Sequence, residues 1–199
     1  MCGLRYHDKM QIEINVSKIF YYPYARLPMT DILTTVRGVL QTTPVRWTNL
    51  TQAALLEVLT IAPAPGEWSA LECLQHMLDT EQVFQFRLQA FMKGEDFPAF
   101  NPDTQGSKPD QNWQPADYAE KFTQLRIESV KALEKVTLED LGRKARHQEL
   151  GIVTMGEFVN EWAAHDLNHT VKAERAMMQL FLRGCGPWQV YFKDHMVSR

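Results

Sequence analysis

The chain has 199 residues, of which 45% are apolar and 23% charged, and its net charge at neutral pH is −3. This balance is typical of a globular protein with one buried core. The absence of a basic block excludes an electrostatic footprint for nucleic acid, and no apolar run reaches the roughly 18 residues of a membrane span. The polar N-terminus is unlike a secretory signal, so we expect a cytoplasmic protein.

The N-terminal part of the chain begins without a helical pattern. Residues 1–29 are interpreted as an arm that packs on the domain or on a partner subunit, and residues 11–16 alternate as in a short strand. Helical periodicity begins at Thr30. Thr43 followed by Pro44 then predicts a new helix, with Thr43 as its N-cap, that extends to Thr60.

The next helix has clear start and stop signals. Ser69 and Glu72 form a capping box that predicts a helix over residues 70–93, ended by Gly94. Its apolar face consists of Leu71, Leu74, Leu78, Leu88 and Phe91. His76 lies on the flank of this face. The helix is therefore expected to carry one histidine toward a neighbouring helix.

Two connections and one helix follow. Residues 95–114 are polar and contain prolines, and a connection of this length suggests a lid or a loop that lines a site. Helical spacing over residues 115–136 predicts another helix, and residues 137–153 are predicted to form a second connection. At the end of the chain, residues 187–199 are predicted to form a short tail, either helical or extended.

The last long helix is the most informative stretch. Thr154 and Glu157 form a capping box, and the pattern predicts a helix that continues to about Leu182. One stripe of this helix is expected to face inward and consists of Phe158, Trp162, His165, His169, Ala173, Ala176 and Leu180. The opposite, solvated side is expected to carry Glu161, Asn168, Lys172, Arg175 and Gln179.

Two histidines four residues apart therefore lie in an otherwise apolar stripe. A buried imidazole needs a hydrogen-bond partner or a metal ion. At this spacing, His165 and His169 project the same way and can share one cation, but a third ligand from elsewhere is needed. The alternative is that both are core histidines satisfied by hydrogen bonds.

Two segments together resemble a known family. Residues 65–81 resemble the second-helix signature of the DinB/YfiT-like superfamily, and residues 147–169 resemble its last-helix signature. The resemblance covers roughly residues 30–182. It implies an all-α, up-down-down-up four-helix bundle, here placed at residues 30–186, that is often dimeric. It also implies a divalent metal ion held by three histidines, which are His76, His165 and His169 in this chain; zinc or nickel suits three imidazoles.

The resemblance also bears on function. Members with known activity include transferases and isomerases that use low-molecular-weight thiols such as bacillithiol or mycothiol. We therefore expect a metal-dependent transferase or hydrolase acting on a small cytosolic molecule, with a thiol S-transferase and a thiol cosubstrate as the specific version. One alternative is a non-enzymatic, metal-stabilised, stress-related binding or interaction protein. Another is a bundle whose histidines satisfy one another without metal. A homodimer is a further expectation.

The acidic residues near the histidines have different interpretations. Asp79 lies one turn after His76 and is the acidic candidate for a catalytic role, orienting a ligand or water. Glu72 is accounted for by the capping box. Asp166 follows His165 directly and so points about 100° away from it. Asp166 is therefore expected either to support a metal ligand from behind or to face solvent.

The remaining cysteine and histidine candidates are expected to be structural. Cys73 lies one turn before His76 and is interpreted as a small buried core residue rather than a soft metal ligand. His147 lies in a connection, where hydrogen bonding to the backbone is the expected role. His7 and His195 are near the termini and are expected to be solvated.

Overall fold

The computed structural model describes residues 29–110 and 112–197. The first part of the chain forms helices α1 (Met29–Ala53), α2 (Leu56–Thr60), α3 (Ala70–Lys93), α4 (Pro102–Gln105) and α5 (Pro115–Leu133). A 3₁₀ turn (Asp140–Gly142) and strands β1 (Lys144–His147) and β2 (Gly151–Thr154) follow. The chain then forms helix α6 (Met155–Gly184) and a 3₁₀ helix (Gly186–His195). The predicted strand at 11–16 and the rest of the N-terminal arm lie outside the described residues. Within the described ranges, no helix is long and apolar enough to cross a membrane.

The four long helices form a bundle. Helix α1 packs against α5 and α6, and α3 packs against the same two helices. This arrangement confirms the predicted all-α four-helix bundle. The short strands β1 and β2 pair as an antiparallel hairpin at one end, and Phe97 from the loop after α3 pairs with His147 of β1.

The interior has two apolar clusters with a polar layer between them. One cluster contains Phe91 and Trp162, and the other contains Trp47 and Phe122. On each long helix, buried polar residues fall between the positions that contribute to the two clusters. These residues are Thr43 of α1, Thr80 and Glu81 of α3, Arg126 and Ser129 of α5, and Asp166 and His169 of α6, with His76 one turn before Thr80 on α3. The polar layer is where the candidate site lies.

The capping boxes set the starts of the two helices that carry the histidines. The Ser69 backbone N–H and hydroxyl both donate to Glu72 Oε2 at 2.8 Å, and α3 ends at Gly94 in the left-handed conformation with φ of 73°. At the start of α6, the Thr154 backbone N–H donates to Glu157 Oε2 at 2.7 Å. Both predicted helices are confirmed, because local capping decides where they begin.

The predicted helix start at Thr43 is wrong. Helix α1 runs without a break through Pro44, and the stretch up to Thr60 contains a separate short helix, α2. A proline inside a helix cannot donate to the carbonyl four residues earlier, here that of Leu40. In this fold, Arg126 Nη1 donates to the Leu40 oxygen at 3.0 Å. A tertiary contact therefore satisfies the carbonyl that Pro44 leaves free.

Three further details differ from the prediction. Residues 137–153 contain the β1 strand and most of β2 rather than an irregular connection, and α5 ends at Leu133. Leu180 was expected to face inward but is 46% exposed, whereas Gln179 was expected to be solvated and is 6% exposed. The C-terminal 3₁₀ segment explains the exchange, because the Gln179 amide donates to the His195 carbonyl at 2.9 Å. Gln179 is thus covered by a tail whose position the helical pattern does not encode.

Candidate metal centre

The three predicted histidines meet in the polar layer. His76 comes from α3, and His165 and His169 come from successive turns of α6. One ring nitrogen from each lies within 4.8 Å of those of the other two, and His76 Nε2 is 3.0 Å from His165 Nε2. Within the part of the chain that the structure describes, this is the one group of three or more His, Cys, Asp or Glu side chains close enough to hold an ion. The fold therefore joins residues 89 positions apart in sequence.

Burial keeps the three imidazoles neutral. Burial, together with the smaller electrostatic effects of the neighbouring histidines and of Lys172, lowers the pKa of His165 to about 2 and that of His169 to about 3. Burial likewise lowers the pKa of His76, although Asp79 acts in the opposite direction. A neutral imidazole has one nitrogen lone pair available to a metal. All three side chains are thus in the protonation state that metal binding requires.

The hydrogen bonding of the cluster is incomplete. The Nδ1 atoms of His165 and His169 are buried and have no hydrogen-bond partner among the described residues. At the contact between His76 and His165, only one of the two Nε2 atoms can carry a hydrogen and donate it to the other. If both Nε2 lone pairs of His76 and His165 bound a cation, neither of these nitrogens would need a hydrogen from the other. The 3.0 Å separation of the two Nε2 atoms also fits two bonds of about 2.0–2.1 Å to one ion. The donor set and its spacing therefore fit a divalent metal.

Trp68 covers one side of the cluster. Its ring lies 4.9 Å from the His76 ring and 5.8 Å from the His169 ring, nearly parallel to the latter. Trp68 also lines two cavities. The first, of about 330 Å³, is bordered by Lys172 and Arg175. The second, of about 160 Å³, has His76 in its wall. A small molecule can therefore reach His76 through the second cavity, whereas none of the described residues that line the first is a histidine.

Asp79 connects the site to the loop after α3. Asp79 Oδ2 accepts from the Ser107 backbone N–H at 2.6 Å, and Asp79 Oδ1 accepts from Gln75 at 2.9 Å. Asp79 lines the same cavity as His76, together with residues 102–103 and 106–109 of this loop. The loop thus borders the histidine cluster, as its length suggested. The catalytic role of Asp79 remains a prediction, since both of its oxygens hold neighbouring protein groups.

A second buried polar cluster lies in the same layer and was not predicted. Arg126 is 2% exposed and places its guanidinium between Glu81 and Asp166. It donates to Glu81 at 2.9 and 2.7 Å, to Asp166 at 2.5 and 2.9 Å, and to the Leu40 carbonyl at 3.0 Å. All five N–H groups are used. Burial alone would lower the Arg126 pKa, but the two carboxylates outweigh it and raise the pKa above its usual value.

The sequence contains a signal for this cluster. Phe122, Arg126, Ser129 and Leu133 fall on one stripe at helical spacing, so Arg126 occupies an inward position of α5. A charged residue in such a stripe implies buried partners. Asp166 is one of these partners and is 1% exposed, so it does not face solvent, and its side-chain oxygens accept from Arg126 rather than from a histidine of the cluster.

The structure separates the remaining candidates from the cluster. Glu72 serves the capping box, as expected. Cys73 is fully buried, and burial raises the pKa of its thiol to about 12, which fits the expected core role. His147 Nδ1 accepts from the backbone N–H groups of Glu149 and Leu150, which confirms the predicted backbone hydrogen bonding. His195 is exposed, and His7 lies outside the described residues.

Comparison with known proteins agrees with this fold. The family model of the DinB superfamily matches residues 39–171, and the chain therefore belongs to this superfamily. The matched segment includes all three histidines of the cluster. No curated protein matches the chain in sequence.

Two solved structures from Bacillus subtilis are similar. YfiT is described as a probable metal-dependent hydrolase with an unusual four-helix bundle topology. It is 13% identical, with a TM-score of 0.69 over 80% of this chain and 93% of its own. The DinB-like protein YjoA is 17% identical, with a TM-score of 0.47 over 76% of this chain and 91% of its own. At this level of identity, the likeness to YfiT establishes the fold.

Proposed function

We propose that the protein is a metal-dependent enzyme, a hydrolase or a transferase, that acts on a small molecule. The observation that carries the proposal is the group of three neutral histidines beside cavities, with no fourth His, Cys, Asp or Glu joining them in the described residues. Three protein ligands are the arrangement of catalytic zinc sites, which keep one position for water or substrate. The description of YfiT as a probable metal-dependent hydrolase supports the same class.

His76, His165 and His169 would hold the ion, and zinc or nickel fits three imidazole donors. When bound, such an ion supplies Lewis acidity and lowers the pKa of a coordinated water to about 7. Trp68 shields the histidines from bulk solvent on one side and stacks near His169. Asp79 keeps the loop in place through Ser107 and so shapes the cavity beside His76.

The charges around the larger cavity favour an anionic substrate. Lys172 and Arg175 border it beside Trp68, and neither makes an ion pair within the described ranges. Lys172 follows His169 by three residues, so the two side chains are neighbours along α6, with Lys172 exposed and His169 buried. Glu67 also borders the cavity, so the net charge of its lining is positive by one. These side chains would attract a carboxylate, phosphate or thiolate group toward the histidines.

A thiol S-transferase is the specific version of this proposal. The thiol would come from a low-molecular-weight cosubstrate that enters beside Trp68. Cys73 does not replace it, because burial raises the pKa of the Cys73 thiol to about 12 and keeps it protonated.

The second candidate is a non-enzymatic, metal-stabilised binding protein. The hydrogen bond between the Ser107 backbone N–H and Asp79 favours this candidate, because a fixed loop beside His76 restricts the smaller cavity to about 160 Å³. Under this alternative, metal binding would raise stability without turnover.

Metal content and turnover test the two candidates. The full chain, purified without a histidine tag or chelator, is expected to contain about one equivalent of metal by mass spectrometry, and His76→Ala/His165→Ala little. His195→Ala is the matched control, since His195 is exposed and lies outside the cluster. Turnover of ester or thiol substrates by the parent, lost in His165→Ala, supports the enzyme. A metal-free parent after reconstitution with zinc and nickel would overturn both candidates.

A further inference from the structure

A separate cavity of about 150 Å³ lies between α3, the β-hairpin and the first turns of α6. Its apolar walls are Phe97, Leu150, Val153 and Phe158, and its polar lining is Arg87, His147, Glu157 and Glu161. Phe84 separates it from the metal centre. The Phe84 ring packs edge-on against the His165 ring at 5.1 Å, and the Arg87 guanidinium carbon lies 6.0 Å from the centroid of the Phe84 ring.

His147 presents a hydrogen-bond donor to this cavity. The residue is 7% exposed, and its Nδ1 accepts from the backbone N–H groups of Glu149 at 3.1 Å and Leu150 at 3.3 Å. Burial and the Arg87 charge lower the pKa of His147, so the imidazole is neutral. A neutral imidazole whose Nδ1 accepts must carry its hydrogen on Nε2.

Arg87 presents only donors to the same place. Its Nη2 lies 3.3 Å from His147 Nε2, and its Nε is buried without a hydrogen-bond partner among the described residues. A guanidinium has no acceptor. Two donors therefore face each other with no acceptor between them. Placing the imidazole hydrogen on Nδ1 instead would only move the conflict to the backbone N–H groups of the hairpin.

Neither of the two acidic residues in the lining supplies the acceptor that Arg87 and His147 lack. Glu157 Oε2 accepts from the Thr154 backbone and hydroxyl in the capping box. Glu161 makes no hydrogen bond or ion pair with Arg87 in the described structure. Although Glu161 has an exposed surface, surrounding protein atoms raise the pKa of its carboxyl to about 7, so it carries only part of a negative charge at neutral pH.

We propose that this cavity binds a small apolar monocarboxylate, whose oxygens accept hydrogen bonds from Arg87 and from His147 Nε2. The apolar body of the ligand packs against Phe97 and Phe158. Carboxylate oxygens match the two planar donors of a guanidinium and form the stronger, charge-assisted hydrogen bonds. The volume lies below the roughly 300–1,000 Å³ of cavities for drug-sized ligands, so the ligand is the size of benzoate or a short branched acid.

Benzoate and its neutral analogue benzamide test the proposal on the full chain without added metal. Calorimetric titration is expected to give saturable binding of one benzoate, with benzamide weaker by about tenfold or more, because charged hydrogen bonds are the stronger ones. Equal binding of the two probes, or no benzoate binding at millimolar concentration, would overturn the proposal. Benzoate bound in the cavity beside Lys172 and Arg175 would be retained in Arg87→Met, so that variant distinguishes this site from that of the proposed function.

Variants locate the binding. Arg87→Met is expected to weaken benzoate binding by about tenfold or more. His147→Asn, which retains an acceptor for the hairpin backbone but loses the Nε2 donor, is expected to weaken it less. Arg146→Gln is the matched control, since Arg146 precedes His147 in β1 and is exposed on the opposite face. A loss in Arg146→Gln equal to that in Arg87→Met would contradict the proposed place.

Glu161→Gln gives a test in the opposite direction. Removing the competing negative charge is expected to tighten benzoate binding two- to threefold or more, in a variant whose exposed side chain makes no hydrogen bond that folding needs. If Glu161 itself is the acceptor for Arg87 in solution, Glu161→Gln lowers stability in the absence of ligand and Arg87→Met adds no further loss. That result, with no gain in benzoate affinity, would overturn the proposal.

Discussion

Two buried polar clusters share the layer between the apolar halves of the bundle, and they differ in how their hydrogen bonds are satisfied. The Arg126 guanidinium uses all five N–H groups on Glu81, Asp166 and Leu40. The histidine cluster leaves two buried Nδ1 atoms without partners. A saturated network stabilises the fold, whereas a buried group of unmatched lone pairs and hydrogens is costly unless a ligand completes it. The arginine network is therefore complete within the protein, and the histidine cluster is the one of the two that has groups left for a ligand.

Removing Arg126 should have the largest effect on stability. Arg126→Met leaves Glu81 and Asp166 buried without their cation and is expected to lower the free energy of unfolding by about 3–5 kcal/mol. Urea unfolding measures this change. The control is Arg46→Gln, which breaks the exposed pair with Glu174 and should cost about 0–1 kcal/mol. Similar losses in the two variants would contradict the structural role of the Arg126 network.

Zinc should stabilise the histidine cluster and leave the arginine network unaffected. At a free zinc concentration one hundred times its Kd, the free energy of unfolding should rise by about 2.7 kcal/mol. His76→Ala should show little of this gain, because it removes the ligand that α3 supplies, while His195→Ala should keep it. Urea unfolding with and without zinc gives the comparison. A gain that persists in His76→Ala would place the metal elsewhere.

Asp79 should contribute less to stability, because it is a half-buried link between the cluster and its loop. Asp79→Ala removes the acceptor for the Ser107 amide and is expected to cost about 0.5–1.5 kcal/mol. Hydrogen exchange of the Ser107 amide should become faster. Asp103→Ala is the control, since Asp103 is exposed in the same loop. If exchange at Ser107 is unchanged, the loop is held by other contacts.

Cys73 should show the smallest effect, since its thiol is expected to stay unmodified in the folded protein. Burial raises its thiol pKa to about 12, so iodoacetamide at pH 8 should modify it only after unfolding. Cys185 is only partly buried and should react first in the native protein. Peptide mass spectrometry distinguishes the two sites. Rapid native modification of Cys73 would mean that the interior beside His76 opens readily to solvent.

The predictable parts of the molecule are those that local chemistry determines. Helices α3 and α6 follow from their capping boxes, and the spacing of His165 and His169 follows from the helical repeat. The position of His76 on the flank of the α3 apolar face made it the candidate third histidine, and the family resemblance assigned it to one metal site with the other two. No local rule establishes that contact, because the residues are 89 positions apart.

The parts that were missed depend on tertiary contacts. Helix α1 passes through Pro44 because Arg126 satisfies the Leu40 carbonyl, and this contact joins distant segments. The hairpin beside α6 is too short for a strand pattern to stand out from a connection. Gln179 is buried by the C-terminal segment, which packs on it through the His195 carbonyl. In each case, the deciding partner comes from another element.

His165 and Asp166 are consecutive residues of α6, yet one belongs to the histidine cluster and the other to the arginine network. One added or deleted residue in α6 upstream of them would rotate the pair by about 100° relative to the start of the helix. A deletion would bring the Asp166 carboxylate to the place of the His165 imidazole, and an insertion would bring the imidazole to the place of the carboxylate. The number of residues between Thr154 and His165 is therefore constrained, and a change of length there should damage folding and ligand binding together.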